Sequence, residues 1–379
     1  MKLLAVTALL FAPLITEARS RGETQTVEVD GKTIDFADDL DFRDLDKAIQ
    51  RQIDAYDTTI KLKGRIVFGS VAFNRSVLRD SLVLFQEIAR QTSECLTANA
   101  KPVCMGRFNE ALHKRFRVFT PSSGPTRFTA YYSPDFTGSL KPADRFKTPL
   151  YSAPKDPALR ESSREDITYN GVLKGLGLEC AWIDADLFEL YSLQIEGGGR
   201  IHLVDPKTGA TTTKYITYDG KNTKPLRFFS KLMVEHGWIQ PTDMSYSTQH
   251  RYFLDHPEIQ RTLYAESPSY VYFTLSDEEP LGVDSIPLTE RRSLAFDPAF
   301  FPVSGILNFV RLTVGGKDIT RFMLGQDIGG AIKGAARADL YFGFGDEARI
   351  AAESLAGQGK QYFLIRRDAK PLTKVRARK

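Results

Sequence analysis

The chain has 379 residues, of which 42% are hydrophobic and 26% charged, and its 28 glycines and 19 prolines are spread along the sequence. This composition excludes a disordered or collagen-like chain, and the length predicts two or three folded units that can each bury a core. The net charge is +4, but segment 366–379, with seven Lys or Arg and one Asp, has a net charge of +6 by itself, so the rest of the chain is slightly acidic. Such a body has no broad positive field for nucleic acid, and we expect the basic tail to be either a solvated end or a weak contact to an anionic envelope.

Residues 1–20 have the pattern of a secretory signal peptide. Lys2 gives a positive start, an apolar run extends from Leu3 to Ile15, and small residues precede Arg21. The run is shorter than the ~20 residues of a membrane-spanning helix, so we expect export and cleavage before Arg21. A buried N-terminal strand is the alternative.

Export to an oxidising compartment bears on the three cysteines. Cys95 and Cys104 are close in sequence, whereas Cys180 lies in a distant apolar segment. The spacing favours a Cys95–Cys104 disulfide, and buried free thiols are the alternative, because a sequence alone does not fix connectivity.

Helical periodicity marks the first third of the chain. Apolar side chains recur from Phe42 to Tyr56, behind Asp41 as a candidate N-cap, and again from Leu78 to Ala89. The spacing predicts two amphipathic helices.

From Phe128 the pattern changes to short runs rich in Thr, Tyr, Phe and Val between Pro and Gly clusters, which predict β-strands. Turns are expected at Gly138, Gly197–Gly199 and Gly220. Helices are expected again from Phe228 to His236 and after Pro257.

The last third is dense in strand-like segments and contains one helical pattern, 346–356, that stops before Gly357. Strands of this density favour a small barrel over a doubly wound sheet, with the middle β segment as an insertion. We therefore divide the chain into a signal peptide 1–20, an N-terminal helical part of the main domain 21–128, an inserted β domain 129–246, a barrel domain 247–366 and a basic tail 367–379.

Several familiar catalytic motifs are absent from the sequence, among them the P-loop, H-E-x-x-H, G-x-S-x-G and paired C-x-x-C. We expect neither a metal nor a cofactor. What remains is a glycine-rich segment, Gln326–Gly345, in which Asp327 and Asp339 flank a turn-forming stretch. Apolar strands around a carboxyl raise its pKa toward that of a general acid, but an aspartate at a strand end also caps turns, and the pattern alone leaves both roles open.

The motifs between Phe128 and Ile365 resemble, in order, the membrane-bound lytic murein transglycosylase A family with its C-terminal 3D domain. They read FTAYYSPDFTGSL, AWIDADLFELYSLQIEGGGRI, DMSYSTQHRYF, PSYVYFTL, PLTERRSLAFDP and QDIGGAIKGAARADLYFGFGDEA. The resemblance implies a mainly β protein with flanking helices, in which a double-psi β-barrel domain carries a smaller inserted β domain and the glycan lies between them. It also implies cleavage of the β-1,4 bond between N-acetylmuramic acid and N-acetylglucosamine of peptidoglycan, leaving a 1,6-anhydromuramoyl end, by a monomer whose partners are the glycan strands.

Within the family pattern Asp339 matches the catalytic acid/base. Asp297 and Asp327 match the other two aspartates of the 3D domain and are expected to shape the surroundings of Asp339, Asp327 either as a turn carboxylate or as a substrate ligand. The backbone at Gly329 and Gly330 is expected to let the glycan approach closely. Further substrate contacts are expected from Tyr132, Gln194, Gly197, Gly199 and Tyr252.

The sequence departs from the family pattern at two places. The signal lacks the lipid-accepting cysteine of the family's outer-membrane lipoproteins, so we expect a periplasmic protein that is at most peripheral to the outer membrane. Tyr252 stands where a tryptophan is usual, which weakens one sugar-stacking contact. The alternatives to a lytic transglycosylase are a peptidoglycan hydrolase with two carboxylates and a noncatalytic wall-binding protein.

Overall fold

The computed structural model describes residues 25–374 except 206, 280, 330 and 331, and of 373 and 374 only the backbone. The expected signal peptide and the last five residues of the tail lie outside the described residues. No helix in the described part is long and apolar enough to cross a bilayer.

Strands outnumber helices in the described residues. The strands are β1 Thr26–Val29, β2 Arg65–Phe68, β3 Val71–Asn74, β4 Phe116–Pro121, β5 Thr126–Ser133, β6 Asp135–Ser139, β7 Thr148–Tyr151, β8 Glu179–Ile183, β9 Gly199–Val204, β10 Thr211–Lys221, β11 Val271–Ser276, β12 Ser293–Phe296, β13 Ile306–Val314, β14 Lys317–Ile328, β15 Arg337–Phe344, β16 Gly357–Arg366 and β17 Thr373–Lys374. The helices are α1 Leu45–Thr58, α2 Ser76–Ala98, α3 Lys101–Arg115, α4 Pro157–Arg160, α5 Arg164–Thr168, α6 Leu187–Glu196, α7 Phe229–Glu235, α8 Tyr246–Asp255, α9 Pro257–Glu266 and α10 Gly345–Glu353.

Six strands close into a barrel in the order β5–β16–β13–β14–β12–β15, and β15 pairs with β5 to complete the ring. The β12–β14 and β15–β5 pairs are parallel and the others antiparallel. Closure leaves no unpaired edge in the ring itself. Strands β4 and β1 continue the sheet outward from β16. The expected small barrel is therefore confirmed.

A second sheet of six strands, in the order β11–β10–β9–β6–β8–β7, is inserted in the chain between β5 and β12. We call it, with helices α4–α9, the inserted unit. The expected boundaries 129 and 246 do not match the strand pairing, because β5 lies in the barrel and β11 pairs with β10. Strand composition alone does not show which sheet a strand joins, which explains the displaced boundaries.

Helices α1, α2 and α3 pack on the barrel around a cluster of phenyl rings. The centroid of Phe322 lies 4.7 Å from that of Phe85 and 5.0 Å from that of Phe309. The two amphipathic helices expected in the first third are α1 and α2. The residue that precedes α1 is Asp44 rather than Asp41, because the chain first turns through left-handed conformations.

Residues 187–196 form helix α6, where a strand and a glycine hairpin were expected. The Asp186 carboxylate accepts hydrogen bonds from the backbone N–H groups of Phe188 and Glu189, and the Glu189 side chain accepts one from the N–H of Asp186. This capping box begins the helix, and Gly197, with φ of 80°, ends it. The aromatic and β-branched residues of the segment had suggested a strand, but the caps and tertiary packing prevail.

Three other local expectations are also wrong. Gly138 is paired inside β6, where a Cβ would lie 2.6 Å from Ile201 Cδ1, so close packing rather than a turn requires it. Gly220 lies at an irregularity within β10. Gly357 begins β16, and α10 ends four residues before it.

The described part of the basic tail is attached to the fold, although its side chains from Arg367 to Leu372 are mostly exposed. The Arg367 guanidinium donates hydrogen bonds to the backbone carbonyls of His113 and Phe116, and β17 pairs with β3. Backbone pairing, which charge counting does not reveal, holds this segment.

The cysteines that the spacing favoured are bridged, with the Cα atoms of Cys95 and Cys104 5.7 Å apart between α2 and α3. Cys180 is a free, half-buried thiol on β8 that donates a hydrogen bond to the carbonyl of Phe273.

Candidate active site

Four barrel strands place one row of side chains on the same face. Asp327 of β14 and Asp339 of β15 are each paired with Ala295 of β12, and Asp339 is paired on its other side with Thr129 of β5. Directly paired residues on neighbouring strands point to the same side of a sheet. Two carboxyl groups therefore point to the same side of the sheet. Strand β12 lies between them, and its residue in this row, Ala295, has only a methyl side chain.

Only one of the two oxygens of the Asp339 carboxyl is hydrogen-bonded to the described part of the protein. Its Oδ1 accepts a hydrogen bond from the Thr129 hydroxyl, and Thr129 Oγ1 in turn accepts one from Arg337 Nη2 at 2.7 Å. Because the guanidinium is always a donor, the hydroxyl hydrogen is directed at Asp339. Within the described residues Oδ2 has no hydrogen-bond partner, so it is the oxygen available to a substrate.

Asp327 differs in that both of its oxygens are bonded. Oδ2 accepts from the Tyr131 hydroxyl at 2.6 Å, and Oδ1 accepts from the backbone N–H of Ile328 at 2.8 Å. The Tyr131 ring packs beside that of Tyr341, with centroids 5.2 Å apart. Asp327 is thus fixed in place, whereas Asp339 keeps an open oxygen.

The pKa values of both aspartates are raised. Burial raises the pKa of Asp339, against the opposing effects of the Thr129 hydrogen bond and the Arg337 charge. Burial also raises the pKa of Asp327, the Tyr131 hydrogen bond opposes this, and the charge of Asp339 adds to it. A carboxyl that keeps its proton closer to neutral pH is suited to general acid catalysis.

A third carboxyl approaches from the inserted unit. Glu196 is the last residue of α6, and burial, followed by the charge of Asp339, raises its pKa to about 8. One turn earlier, Ser192 Oγ lies 3.4 Å from the hydroxyl of Tyr132 on β5. Helix α6 therefore brings Glu196 toward the strand that carries Thr129.

A cleft of about 340 Å³ separates the barrel side from the inserted unit. Its walls include Tyr132, Asp135, Glu189, His202, Tyr246 and Arg349. The Arg349 guanidinium lies over the Tyr246 ring, 4.7 Å from its centroid. Asp339 does not line this cleft. Tyr132 does, but it follows Thr129 by three residues on β5, so its side chain points to the opposite face of that strand.

Asp297 lies outside the row of carboxyls. It is buried, and its oxygens accept hydrogen bonds from the backbone N–H groups of Ala299 at 3.0 Å and Gly334 at 2.8 Å. It therefore joins the turn after β12 to the segment before β15, and its effect on Asp339 is indirect.

Gln194 and Tyr252, two expected substrate contacts, have partners elsewhere. Gln194 is buried and accepts a hydrogen bond from the buried Arg164, on the side of α6 away from Ser192. Tyr252 stacks on His256 with centroids 3.9 Å apart. Neither lines the cleft.

The predicted glycines have structural roles. Gly197 ends α6, and a Cβ on Gly199 would lie 2.7 Å from the carbonyl oxygen of Pro134, so this glycine allows β9 to approach the link between β5 and β6. A Cβ on Gly329 would meet the flexible end of Ile332. Gly330 lies outside the described residues.

Sequence reasoning missed Thr129, Arg337 and Glu196. Thr129 and Arg337 are far apart in the chain, and only the parallel pairing of β5 with β15 brings them together. For Glu196 the available signal was the capping pattern at Asp186, which predicts a helix and thus a carboxyl at its end. In the described residues no group of three or more His, Cys, Asp or Glu is arranged to hold a metal ion.

Two family models match the chain. Residues 127–274 match the MltA specific insert domain, and residues 292–365 match the 3D domain. The membrane-bound lytic murein transglycosylase A of Vibrio cholerae is 32% identical over 277 residues, which cover 71% of this chain and 73% of that protein. The protein of that name from Escherichia coli K12 is 30% identical over 233 residues, 59% of this chain and 61% of its own length.

Solved structures resemble this chain over almost its whole length. A membrane-bound lytic murein transglycosylase from Agrobacterium tumefaciens has a TM-score of 0.68 at 24% identity, covering 90% of this chain and 98% of that one. Escherichia coli MltA with bound chitohexaose has a TM-score of 0.69 at 22% identity, covering 92% and 96%. The likeness confirms the expected fold class, a double-psi β-barrel domain with a smaller inserted β domain.

Proposed function

This chain belongs to the membrane-bound lytic murein transglycosylase A family, and from that membership and the geometry around Asp339 we propose how it cleaves its substrate. The protein is a lytic transglycosylase that acts on peptidoglycan. The bond we assign to it is the β-1,4 linkage between N-acetylmuramic acid and N-acetylglucosamine, and the product is a 1,6-anhydromuramoyl end. The open Oδ2 of a partly buried Asp339 is the observation that carries the proposal.

In the proposed reaction one carboxyl group acts twice. Protonated Asp339 gives its proton to the glycosidic oxygen as the bond from that oxygen to C1 of muramic acid breaks. The 6-hydroxyl oxygen of the same sugar then bonds to C1, and its proton returns to Asp339. The carboxyl is regenerated and no water is consumed, which distinguishes this reaction from glycoside hydrolysis.

The neighbours of Asp339 prepare it for both steps. Thr129 occupies Oδ1 and so directs the exchanged proton to Oδ2, which has no hydrogen-bond partner in the described part of the chain. Asp327, fixed by Tyr131, shapes and polarises the pocket without needing to move. Burial keeps a proton on Asp339 for the first step, and the Thr129 hydrogen bond stabilises the carboxylate that exists between the two steps.

We place the glycan strand between the barrel and the inserted unit, along the cleft lined by Tyr132, Ser192 and Tyr246, and its extension to Asp339 is part of the proposal. The Escherichia coli relative has been solved with bound chitohexaose. The assignment of single residues to sugar contacts is part of the proposal. Of the expected sugar contacts Tyr132 lines this cleft, whereas Gln194 and Tyr252 do not, and their contact with the glycan stays a prediction.

Export by residues 1–20 to the periplasm, and contact of the basic tail with anionic envelope polymers, complete the proposal. The relatives are named as membrane-bound, and the described part of this chain has no helix that could span a membrane.

A hydrolase with two carboxylates is the second candidate, because Glu196 is a further carboxyl near Asp339. Product analysis separates the two. We expect mass spectrometry of purified peptidoglycan digested by the protein to give muropeptides with 1,6-anhydro ends, each one water lighter than the hydrolysis product. Reducing muramic acid ends would contradict the proposal, and intact glycan would indicate a noncatalytic wall-binding protein.

A further inference from the structure

Glu196 is a carboxyl that the single-aspartate reaction does not use. It is partly buried at the C-terminal end of α6, and in the described residues it forms neither a hydrogen bond nor an ion pair. A partly buried carboxylate without a donor is costly, so such a group is favoured in its neutral form.

The packing of α6 decides where this carboxyl points. Ser192 and Glu196 are four residues apart and therefore lie on the same face of the helix. Ser192 Oγ lies 3.4 Å from the Tyr132 hydroxyl, and the Glu196 charge also acts on Tyr132. The face that carries Glu196 thus packs toward β5 and borders the cleft through Ser192, opposite the face on which Gln194 meets Arg164.

The charged and titratable groups around this face come from five elements, and the two basic side chains among them are both paired with carboxylates. They are Asp339 of β15, Tyr132 of β5, Arg349 and Glu353 of α10, Tyr246 and His250 of α8, and Asp186 and Glu189 at the start of α6. Arg349 is bonded to Glu353 and Asp346, and His250 to Asp186. The Asp339 charge is the one that acts most directly on Glu196.

We propose that Glu196 is a second substrate-contacting carboxyl of this site, which stays protonated while the enzyme works and donates a hydrogen bond to a hydroxyl or acetamido oxygen of the glycan. The inference rests on the proposed function of Asp339. It makes Glu196 a binding group and not a second proton-transfer group, because one carboxyl suffices for both proton transfers.

The charge state of Glu196 then sets an upper pH limit. Above a pH of about 8 the group ionises, its donor is lost and a second negative charge stands beside Asp339. Activity requires protonated Asp339 as the acid and protonated Glu196 as the donor. The pH profile of kcat/KM therefore falls once where Asp339 ionises and becomes steeper above about 8, the two groups titrating as a coupled pair.

The test compares wild type with Glu196→Gln, whose amide donates at every pH, by the release of anhydromuropeptides from pH 6 to 9. Relative to each protein's own value at pH 6, we expect kcat/KM at pH 9 to fall about tenfold less in the variant than in wild type, because the second ionisation is missing. Glu258→Gln removes an exposed carboxyl of α9, in the same inserted unit and away from the cleft, and is the matched control, which should keep the steeper fall. Thermal melts at both pH values confirm that the proteins stay folded.

An equal fall in wild type and Glu196→Gln would overturn the inference, and so would a loss of a thousandfold or more in Glu196→Gln at pH 6, which would make Glu196 a proton-transfer group. These results differ from failure of the proposed function, which would appear as a wild-type protein that releases no anhydromuropeptide at any pH.

Discussion

At the scale of single residues, the two neighbouring aspartates differ in how many of their carboxyl oxygens accept a hydrogen bond from the protein. Thr129 binds one oxygen of Asp339 and leaves the other open, whereas Tyr131 and the Ile328 N–H satisfy both oxygens of Asp327. The family motif identified Asp339 from the sequence, but the order of bonds from Arg337 through Thr129 depends on strands that meet only in the folded barrel.

Removing the Thr129 hydroxyl should change the titration of Asp339. The hydroxyl donates to the ionised carboxyl and lowers its pKa, so Thr129→Val should raise that pKa and move the first alkaline fall of kcat/KM to higher pH. We also expect kcat to fall about tenfold, because the carboxyl loses the contact that orients it. Thr129→Ser keeps the hydroxyl and serves as the control. The pH profile checks this, and an unchanged fall in Thr129→Val would show that the hydrogen bond does not tune Asp339.

At the scale of secondary-structure elements, one buried ion pair holds the N-terminal segment against the barrel. Arg292, next to β12, donates two hydrogen bonds to the Asp38 carboxylate, at 2.7 and 2.9 Å, and both side chains are inaccessible to solvent. Arg292 also donates to the backbone carbonyls of Arg43 and Phe322. The pair therefore joins β12, which carries Ala295 between the two aspartates, to the segment that leads into α1.

Breaking this pair should lower the free energy of unfolding, while the activity of each folded molecule changes little. Arg292→Met leaves the Asp38 carboxylate buried without its partner, and we expect the free energy of unfolding to fall by about 3–5 kcal/mol. The matched control is Arg90→Met, which breaks exposed pairs with Glu87 and Glu94 and should change the free energy of unfolding far less. Denaturant unfolding measures both, and similar small losses would mean that the buried pair contributes little.

The elements also show where sequence reasoning succeeds and fails. Periodicity was sufficient for α1, α2 and α9, whose apolar faces are regular. It failed for α6, where strand-forming residues were overruled by a capping box and a C-terminal glycine. As a result Glu196 went unnoticed, although the segment that contains it was known to belong to the family pattern.

At the scale of the whole molecule, the site is made by two parts of one chain. The barrel supplies Asp339, Asp327 and Thr129, and the inserted unit supplies α6 with Glu196 and much of the cleft. Because the inserted unit leaves the barrel after β5 and returns before β12, both of its connections begin beside the row of carboxyls. Motif order predicted this architecture, but the pairing of β11 with β10, which moves the boundary past Ser276, could be seen only in three dimensions.

The central claim is that one carboxyl, that of Asp339, performs both proton transfers. The most direct measurement is the rate of anhydromuropeptide release by purified Asp339→Asn. Asn has nearly the same shape but cannot transfer the proton, so we expect a loss of at least about a thousandfold with little change in thermal stability. Asp297→Asn is the comparison, and it should lower stability as well as activity. The carboxylate accepts one backbone hydrogen bond at each oxygen, and Asn replaces one of these acceptors by an NH2 group, which only donates. If Asp339→Asn kept a tenth or more of the wild-type rate, the acid/base would have to be another group, with Asp327 the next candidate.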